Sequence, residues 1–218
     1  MTEARTLNRH IANIRTSGTI LPSSPFLVGR LIRGIDFTRA RHIVELGVGT
    51  GCVTRALLRR MHPDARLVSF EVVQEFAEAC DCVGDPRFTL RNACATTLPD
   101  ILEEEGIESV DAVVSSLPLS IMDPAVVDRI LDVARDCLGP EGKFLQYQYS
   151  LSQQHRMLSR YPDVAVGFTL LNVPPAFVYA CSPRPARNGS GKTRRTFGTL
   201  YAAALASVAM GVRVLQDL

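Results

Sequence analysis

The sequence of 218 residues lacks several features that mark whole classes of protein. Its 24 basic and 22 acidic side chains leave a formal charge of only +2, so the total charge indicates no anionic partner. Its six cysteines include no Cys-x-x-Cys pair and have no histidine at zinc-finger spacing, which excludes the common zinc motifs. We therefore expect no metal site, and cysteines that act as small buried residues in a reducing compartment.

Long apolar runs are also missing. The stretch 164–183 is interrupted by Pro174 and Pro175, and the uncharged 17-residue stretch 196–212 lies at the lower limit for a membrane span. The polar, Arg-containing start does not resemble a secretory signal. With 46% hydrophobic and 21% charged residues, the composition favours one globular domain with appendages over a disordered or polytopic membrane chain. We expect a cytoplasmic protein.

The small total charge conceals a segregation along the chain. Residues 1–41 carry a net charge of +5, residues 183–218 again carry +5, and residues 42–182 carry −8. An acidic body with two basic ends predicts an anionic partner that the ends contact, either membrane lipid or nucleic acid.

Short apolar runs alternate with helical patterns from residue 43 onward, which is typical of βαβ units on a parallel sheet. The last two predicted strands are separated only by Val173-Pro174-Pro175, a connection too short for a parallel crossover, so they must be antiparallel. This order predicts an α/β, Rossmann-like class I methyltransferase fold, with a seven-stranded, mostly parallel sheet, an antiparallel last strand and added N-terminal helices. The predicted strands are 43–46, 66–71, 88–91, 110–115, 143–149, 165–172 and 176–181, and the predicted helices lie near 53–61, 74–81, 97–105 and 124–137, the last closed by Gly139-Pro140.

A glycine-rich turn follows the first predicted strand. Gly47, Gly49 and Gly51 complete an E-x-G-x-G-x-G motif that begins at Glu45 and leads into a helical pattern. Cys52 stands where a dinucleotide fingerprint needs its last glycine, so the motif favours S-adenosylmethionine over a dinucleotide. The alternative is a purely structural turn, which packs the helix on the strand and binds no cofactor.

Other predicted cofactor contacts come from strand ends and from the turn before the core. Glu71 ends the second strand, where its carboxylate can accept hydrogen bonds from both ribose hydroxyls. Glu45 is expected to fix the glycine loop or to hold the methionine amino group. The remaining predicted cofactor-binding residues are Val72, Asn92 and Ala93, with Asn92 placed for adenine, and Ser23 and Ser24, which either cover the pocket or only cap a helix.

The methyl acceptor is expected at the carboxyl ends of the fourth and fifth strands. Ser115 and Ser116 lead into Leu117-Pro118-Leu119, a variant of the polar-x-Pro-aromatic loop that holds the acceptor nitrogen in amino-group methyltransferases. Leu119 replaces the aromatic residue, which argues against a stacked nucleobase. Tyr147 and Tyr149 share one face of the fifth strand, and at least one is expected to orient the amine, unless both are core residues.

Several segments together resemble the bacterial phospholipid N-methyltransferases, over roughly residues 8–181. These segments are TILPSSPFLVGRLI (19–32), VELGVGTGCVTRALL (44–58), SSLPLS (115–120), LQYQY (145–149) and NVPPAFV (172–178). The resemblance implies methylation of phosphatidylethanolamine, stepwise towards phosphatidylcholine, by an enzyme related to the rRNA adenine dimethylases. It places Glu45, Gly47, Gly49 and Glu71 in the S-adenosylmethionine site. Arg91-Asn92-Ala93 departs from the usual Gly-Asp-Ala, and the tail beyond Cys181 has no counterpart.

The chain is expected to divide into residues 1–35, an amphipathic helix and a turn that the resemblance makes a lid; 36–182, the methyltransferase domain; and 183–218, a basic linker with a C-terminal helix near 198–215. Residues 4–14 place apolar side chains at helical spacing among arginines, which predicts either docking on an anionic membrane or packing on the core. The leading interpretation is thus a cytoplasmic, peripherally membrane-associated lipid N-methyltransferase whose partners are anionic and phosphatidylethanolamine-containing membranes. The alternatives are an rRNA adenine N6-dimethyltransferase and a non-catalytic membrane-binding module.

Overall fold

The computed structural model describes residues 23–80 and 84–185. In this part of the chain, seven strands form one sheet in the order β3-β2-β1-β4-β5-β7-β6. The strands are β1 (His42–Leu46), β2 (Arg66–Phe70), β3 (Phe88–Arg91), β4 (Val110–Ser115), β5 (Leu138–Gln148), β6 (Asp163–Thr169) and β7 (Ala176–Ser182). The helices are α1 (Pro25–Leu31), α2 (Cys52–Leu58), α3 (Gln74–Cys80), α4 (Leu98–Glu104), α5 (Pro124–Asp136) and α6 (Gln154–Arg160).

The sheet has the predicted topology. Strands β1 to β5 pair in parallel, and β7 lies antiparallel between β5 and β6. The strand order reverses beside β1, whose neighbours are β2 and β4. In open α/β sheets this reversal opens a crevice at the carboxyl ends of the strands. The predicted Rossmann-like methyltransferase fold is confirmed.

Two apolar layers cover the sheet. Along β1, Val44 and Leu46 belong to one cluster together with residues of α4, α5 and α6, whereas Ile43 belongs to the other together with residues of α1 and α2. Both faces of the parallel strands are therefore buried, which explains their nearly continuous apolar sequences.

Helix α1 is amphipathic and is capped by a side chain. The Ser24 hydroxyl accepts a hydrogen bond from the Leu27 amide at 3.1 Å, and Pro25 occupies the first helical turn. Leu27 and Leu31 are buried against the sheet, but Phe26 is 63% exposed. The apolar run of the sequence therefore divides between a buried face and one exposed aromatic ring.

The structure departs from the predicted elements after α5. That helix ends at Asp136, and β5 begins at Leu138, so Gly139-Pro140 lies in a strand instead of closing a helix. The start of β5 shifts register against β4 between Val110 and Ala112. Glycine and proline are poor strand formers, so strand propensity did not predict that β5 begins before them with an irregular register.

Helix α6 was not predicted, because only Met157 of its seven residues is buried. Ion pairs with α5, and not an apolar face, hold this helix in position. Arg160 lies 2.8 Å from Asp128 and 2.9 Å from Asp132, which joins α6 to α5.

Within residues 23–80 and 84–185, no helix is long and apolar enough to cross a membrane. The amphipathic segment predicted over residues 4–14 and the helix predicted near 198–215 lie outside the described residues.

The close approach at Gly142 predicts a stability effect. A Cβ atom there would lie 2.8 Å from the Val110 carbonyl oxygen and 3.0 Å from that of Gly139, both of which are backbone atoms that cannot rotate away. We expect Gly142→Ala to lower the free energy of unfolding by about 1–3 kcal/mol in urea titrations.

Gly29→Ala is the matched control, because nothing lies within 4 Å of a Cβ atom at this helical position. It should raise the free energy of unfolding by about 0.5–1 kcal/mol, since glycine weakens helix interiors. Equal effects of the two substitutions would contradict the steric argument.

Candidate active site

A cavity of about 420 Å³ lies at the carboxyl ends of the strands. Its walls come from the segments that follow β1, β2, β3, β4 and β5, together with Ser23 before α1. The sequence-predicted residues among those lining it are Ser23, Gly47, Gly49, Glu71, Val72, Ala93, Ser116, Tyr147 and Tyr149. The structure thus brings most of the predicted cofactor and acceptor residues to one cavity.

The glycine turn requires left-handed backbone conformations. Gly47, Gly49 and Gly51 have φ angles of 83°, 53° and 72°. At Gly47 a Cβ atom would also lie 3.1 Å from the Leu117 side chain. Gly51 is the N-cap of α2 and is not among the lining residues, so its role is to start the helix.

Glu71 supports the same turn from the end of β2. Its Oε2 atom accepts a hydrogen bond from the Gly49 amide at 2.9 Å, and its Oε1 atom accepts one from the Val73 amide at 2.9 Å. A carboxylate offers about four lone-pair positions. Glu71 therefore retains acceptor capacity on the cavity wall, as the predicted contact with ribose hydroxyls requires.

Glu45 lies behind the turn and not on the cavity wall. Its side chain is fully buried and accepts hydrogen bonds from Thr54 of α2 and Ser69 of β2, each at 2.8 Å. Burial raises the pKa of Glu45 to about 7, although both hydroxyl groups oppose the shift. Of the two predicted roles, this position supports fixing the loop, because Glu45 is not among the residues that line the cavity.

Asn92 also lies outside the cavity lining. Its Nδ2 atom donates to the Glu71 carbonyl oxygen at 2.8 Å, which ties the end of β3 to the end of β2. The residues that follow it, Ala93, Cys94 and Ala95, line the cavity, and the adenine contact of Asn92 stays a prediction.

The loop after β4 is held by its own neighbours. Ser116 lines the cavity, but its hydroxyl donates to the Gly47 carbonyl oxygen at 2.5 Å, and the buried Ser115 accepts from the Leu117 amide at 3.4 Å. The Leu117 carbonyl oxygen accepts from Nε2 of Gln146 at 3.1 Å and of Gln148 at 3.0 Å. A carbonyl oxygen has two lone pairs. Both are engaged by these two amides, and the predicted acceptor role of Ser115 and Ser116 stays a prediction.

The two tyrosines stand side by side at the end of β5. Their ring centroids are 5.8 Å apart in an edge-on arrangement, and Ser23 Oγ donates to the Tyr147 hydroxyl at 3.2 Å. Burial raises the pKa of Tyr147 to about 12, so its phenol stays protonated at neutral pH. Tyr149 is 46% exposed at the surface.

Ser24 serves the structure around the cavity. It caps α1, donates its hydroxyl hydrogen to the Leu171 carbonyl oxygen at 2.5 Å, and donates its amide hydrogen to Asn172 Oδ1 at 2.9 Å. It is not among the lining residues, so of the predicted pair only Ser23 faces the cavity.

Sequence reasoning missed Gln148 and the apolar wall. Gln148 lines the cavity beside both tyrosines, although strict alternation along β5 placed it on the opposite face. Alternation holds along a regular strand and weakens where the strand ends. Phe76, Ile121, Met122 and Ile130 complete the apolar wall, and no polar motif marked them in the sequence.

Comparison with known proteins agrees with this geometry. The family described as "Methyltransferase domain" matches residues 43–142. The chain is 33% identical over 166 residues to the ornithine lipid N-methyltransferase of Singulisphaera acidiphila, covering 75% of this chain and 86% of that enzyme. The chain belongs to the S-adenosylmethionine-dependent methyltransferase family that includes this enzyme.

More distant similarities lie within the same fold. Ribosomal RNA small subunit methyltransferase A of Parasynechococcus marenigrum is 29% identical over 107 residues, which are 48% of this methyltransferase but only 34% of that protein. The solved structure of human methyltransferase-like protein 13 in complex with SAH superposes with a TM-score of 0.57 at 17% identity, covering 75% of this chain and 82% of that one. The cofactor of this methyltransferase is S-adenosylmethionine.

The raised pKa of Glu45 predicts a pH-dependent stability. A carboxyl whose pKa is about 7 in the folded chain and near 4.5 in the unfolded chain binds its proton more tightly when folded. The free energy of unfolding therefore falls as the pH rises through this window. Glu45→Gln removes this dependence, so the variant should gain up to about 3 kcal/mol relative to the parent between pH 4.5 and pH 7.

Urea titrations across this pH range measure the difference, and Glu103→Gln, at an exposed position, serves as the control. Parallel stability curves for the parent and Glu45→Gln would show that folding does not raise the pKa of Glu45.

Proposed function

We propose that this methyltransferase methylates the primary amine of phosphatidylethanolamine, stepwise towards phosphatidylcholine, at a membrane surface. The main support is the cavity itself, which combines a cofactor cradle with an apolar wall and two neighbouring tyrosines. A lipid with one small amine fits such a wall better than a nucleobase does, because position 119 is a leucine and offers no aromatic ring on which a base could stack.

The residues present fit the cofactor. The turn at Gly47 and Gly49 leaves backbone exposed to the cavity where a Cβ atom would be strained, and Glu71 offers carboxylate acceptors beside it. Bound S-adenosylmethionine supplies a methyl group on a positively charged sulfur. The chain contributes position and a dry environment, which dominate such displacement reactions.

The acceptor amine is held by side chains of β5 in this proposal. Since Gln148 Nε2 donates to Leu117, its Oε1 atom remains as an acceptor on the cavity wall. The Tyr147 oxygen already accepts from Ser23 and can accept one more hydrogen, from the amine. An amine that donates both hydrogens keeps its lone pair free for attack. The ring of Tyr149 then stabilises the growing positive charge by cation–π contact.

The amine must first lose a proton. Among the cavity-lining residues of the described chain, Glu71 is the one carboxylate, and it already accepts two backbone amides. No histidine, lysine or arginine of residues 23–80 and 84–185 lines this cavity. We infer that the proton leaves to water at the mouth and that Tyr147, with its raised pKa, binds the neutral amine rather than removing its proton.

Ornithine lipid is a second candidate substrate. It is favoured by the 33% identical relative, whose name assigns it this substrate. Both candidates are lipids with an amine, so the geometry of the cavity suits either. An RNA substrate has less support, since the rRNA methyltransferase similarity covers only 34% of that relative.

Methyl-labelled S-adenosylmethionine distinguishes the substrates. The full chain is incubated with vesicles that contain phosphatidylethanolamine or ornithine lipid, or with rRNA, and lipid and RNA fractions are counted separately. We expect label in phosphatidylethanolamine. Vesicles of phosphatidylcholine alone are the control, because a quaternary ammonium has no lone pair to methylate.

Label confined to ornithine lipid would transfer the assignment to the second candidate, and label in RNA would contradict a lipid substrate. Glu71→Ala should lose at least about tenfold in labelling of any substrate, since a charge-assisted cofactor contact is removed.

The role of the tyrosines predicts unequal effects of removing their hydroxyls. Tyr147→Phe should lower kcat about 3- to 10-fold, because the variant loses one hydrogen bond to the reacting amine. Tyr149→Phe should leave kcat within about twofold, because the ring that makes the cation–π contact is retained. Initial rates of methyl transfer measure both.

Tyr179→Phe is the matched control, since the Tyr179 hydroxyl is buried in the core with no partner among the described residues and does not line the cavity. Unchanged turnover in Tyr147→Phe would remove the hydroxyl from the mechanism.

A further inference from the structure

Four large apolar side chains are exposed where the start of α1 meets the loop between β6 and β7. Phe26 of α1 is 63% exposed, and Leu170, Leu171 and Val173 in the loop between β6 and β7 are 61%, 60% and 75% exposed. We call these four residues the apolar tip. Large apolar side chains exposed at one such junction point to an interaction surface.

The apolar tip is built on fixed backbone. Ser24, at the start of α1, hydrogen-bonds to the Leu171 carbonyl oxygen and to the Asn172 side chain. Asn172 is only 6% exposed, and its Nδ2 atom donates to the Pro174 carbonyl oxygen at 2.7 Å. The helix start and the loop are therefore joined, and the apolar side chains project from a supported scaffold.

The apolar tip lies at the same edge of the sheet as the cavity. Strand β6 is antiparallel to β7, which is antiparallel to β5, so β6 and β5 run in the same direction. The loop after β6 thus leaves from the edge where β5 ends at the tyrosines. Ser23 connects the two directly, because it adjoins Ser24 in the chain and donates to Tyr147.

One exposed arginine follows α1. Arg33 is exposed and lies in the 3₁₀ turn Ile32–Gly34 directly after the helix, whereas Arg30 is half-buried, with its guanidinium group packed over Gly167 of β6. A rise of roughly 1.5–2 Å per residue places Arg33 about 10 Å along the axis from Phe26. Arg33 pairs with no acidic side chain within residues 23–80 and 84–185.

An apolar end followed at about 10 Å by a cation matches a bilayer interface, in which apolar groups enter about 5–10 Å and cations meet lipid phosphates. We propose that the apolar tip inserts into the anionic membrane surface, with Arg33 at the level of the headgroups, and so brings the cavity mouth to the lipid amine. This inference rests on the proposed lipid substrate. It concerns the folded domain and is separate from the segment predicted over residues 4–14.

The absence of tryptophan allows a direct test. In Leu171→Trp the new indole is the only one in the full chain. On vesicles of phosphatidylethanolamine and phosphatidylglycerol, its emission should shift to the blue and should fall at least about twofold when the acyl chains carry bromine, because quenching needs contact with the hydrocarbon.

Leu158→Trp is the matched control. Leu158 is 54% exposed, but it lies on α6, which leads from the end of β5 back to the opposite edge of the sheet, where β6 begins. Its emission should be unchanged by brominated lipid. Equal quenching at both positions, or none at Leu171→Trp, would overturn the proposal.

Two other occupants of the apolar tip give different signals. If residues 1–22 or a second copy of the chain cover it, the emission of Leu171→Trp is already blue-shifted without vesicles and insensitive to brominated lipid. A dependence of that shift on protein concentration identifies the second copy. Either result would overturn the membrane assignment.

Polar substitution separates this inference from the proposed function. Leu171→Ser/Val173→Ser should weaken vesicle binding about tenfold in sedimentation assays, yet methylate a dispersed short-chain phosphatidylethanolamine at the parental rate. Parental vesicle binding would overturn the surface assignment alone. Failure of the parent to methylate any lipid amine, with vesicle insertion intact, would overturn the proposed function alone.

Discussion

The turn between β1 and α2 must keep glycine residues in left-handed conformations next to a charged cofactor, and a buried carboxyl group lies behind it. Glu45 joins β1, β2 and α2 through Ser69 and Thr54, while Glu71 holds the turn from the cavity side. One carboxyl group is thus buried behind the turn, and the other lies on the cavity wall. Burial raises the pKa of Glu45 to about 7, and the hydrogen bonds from its two hydroxyl partners stabilise the carboxyl group in the interior of the sheet.

The sequence predicted the parts of this arrangement that depend on spacing. The glycine turn, the carboxylate at the end of β2 and the antiparallel last strands all follow from short-range patterns, because the topology of a parallel sheet leaves few alternatives. The seven-stranded sheet and its topology were therefore predictable, whereas the irregular start of β5 and the charge-positioned helix α6 were not.

The site was less predictable wherever hydrogen bonds compete for one atom. Nothing in the sequence around Leu117 indicates that its carbonyl receives amides from Gln146 and Gln148, because those partners lie 29 and 31 residues away. Asn92 and Ser24 were placed at the cofactor by motif position, yet each bonds a neighbouring backbone carbonyl. A motif predicts where a polar residue lies along the chain, but the residues packed around it determine its hydrogen-bond partner.

The adjacent residues Ser23 and Ser24 connect the cavity to the loop between β6 and β7. One hydroxyl bonds the phenol in the cavity, and the next bonds the loop that carries Leu171. The loop and the phenol are therefore linked through the single peptide unit that joins the two serines. Such a link would let contact with an interface alter the orientation of the phenol, which is the basis of interfacial activation: an enzyme that turns over faster on an aggregate than on the same molecules dispersed.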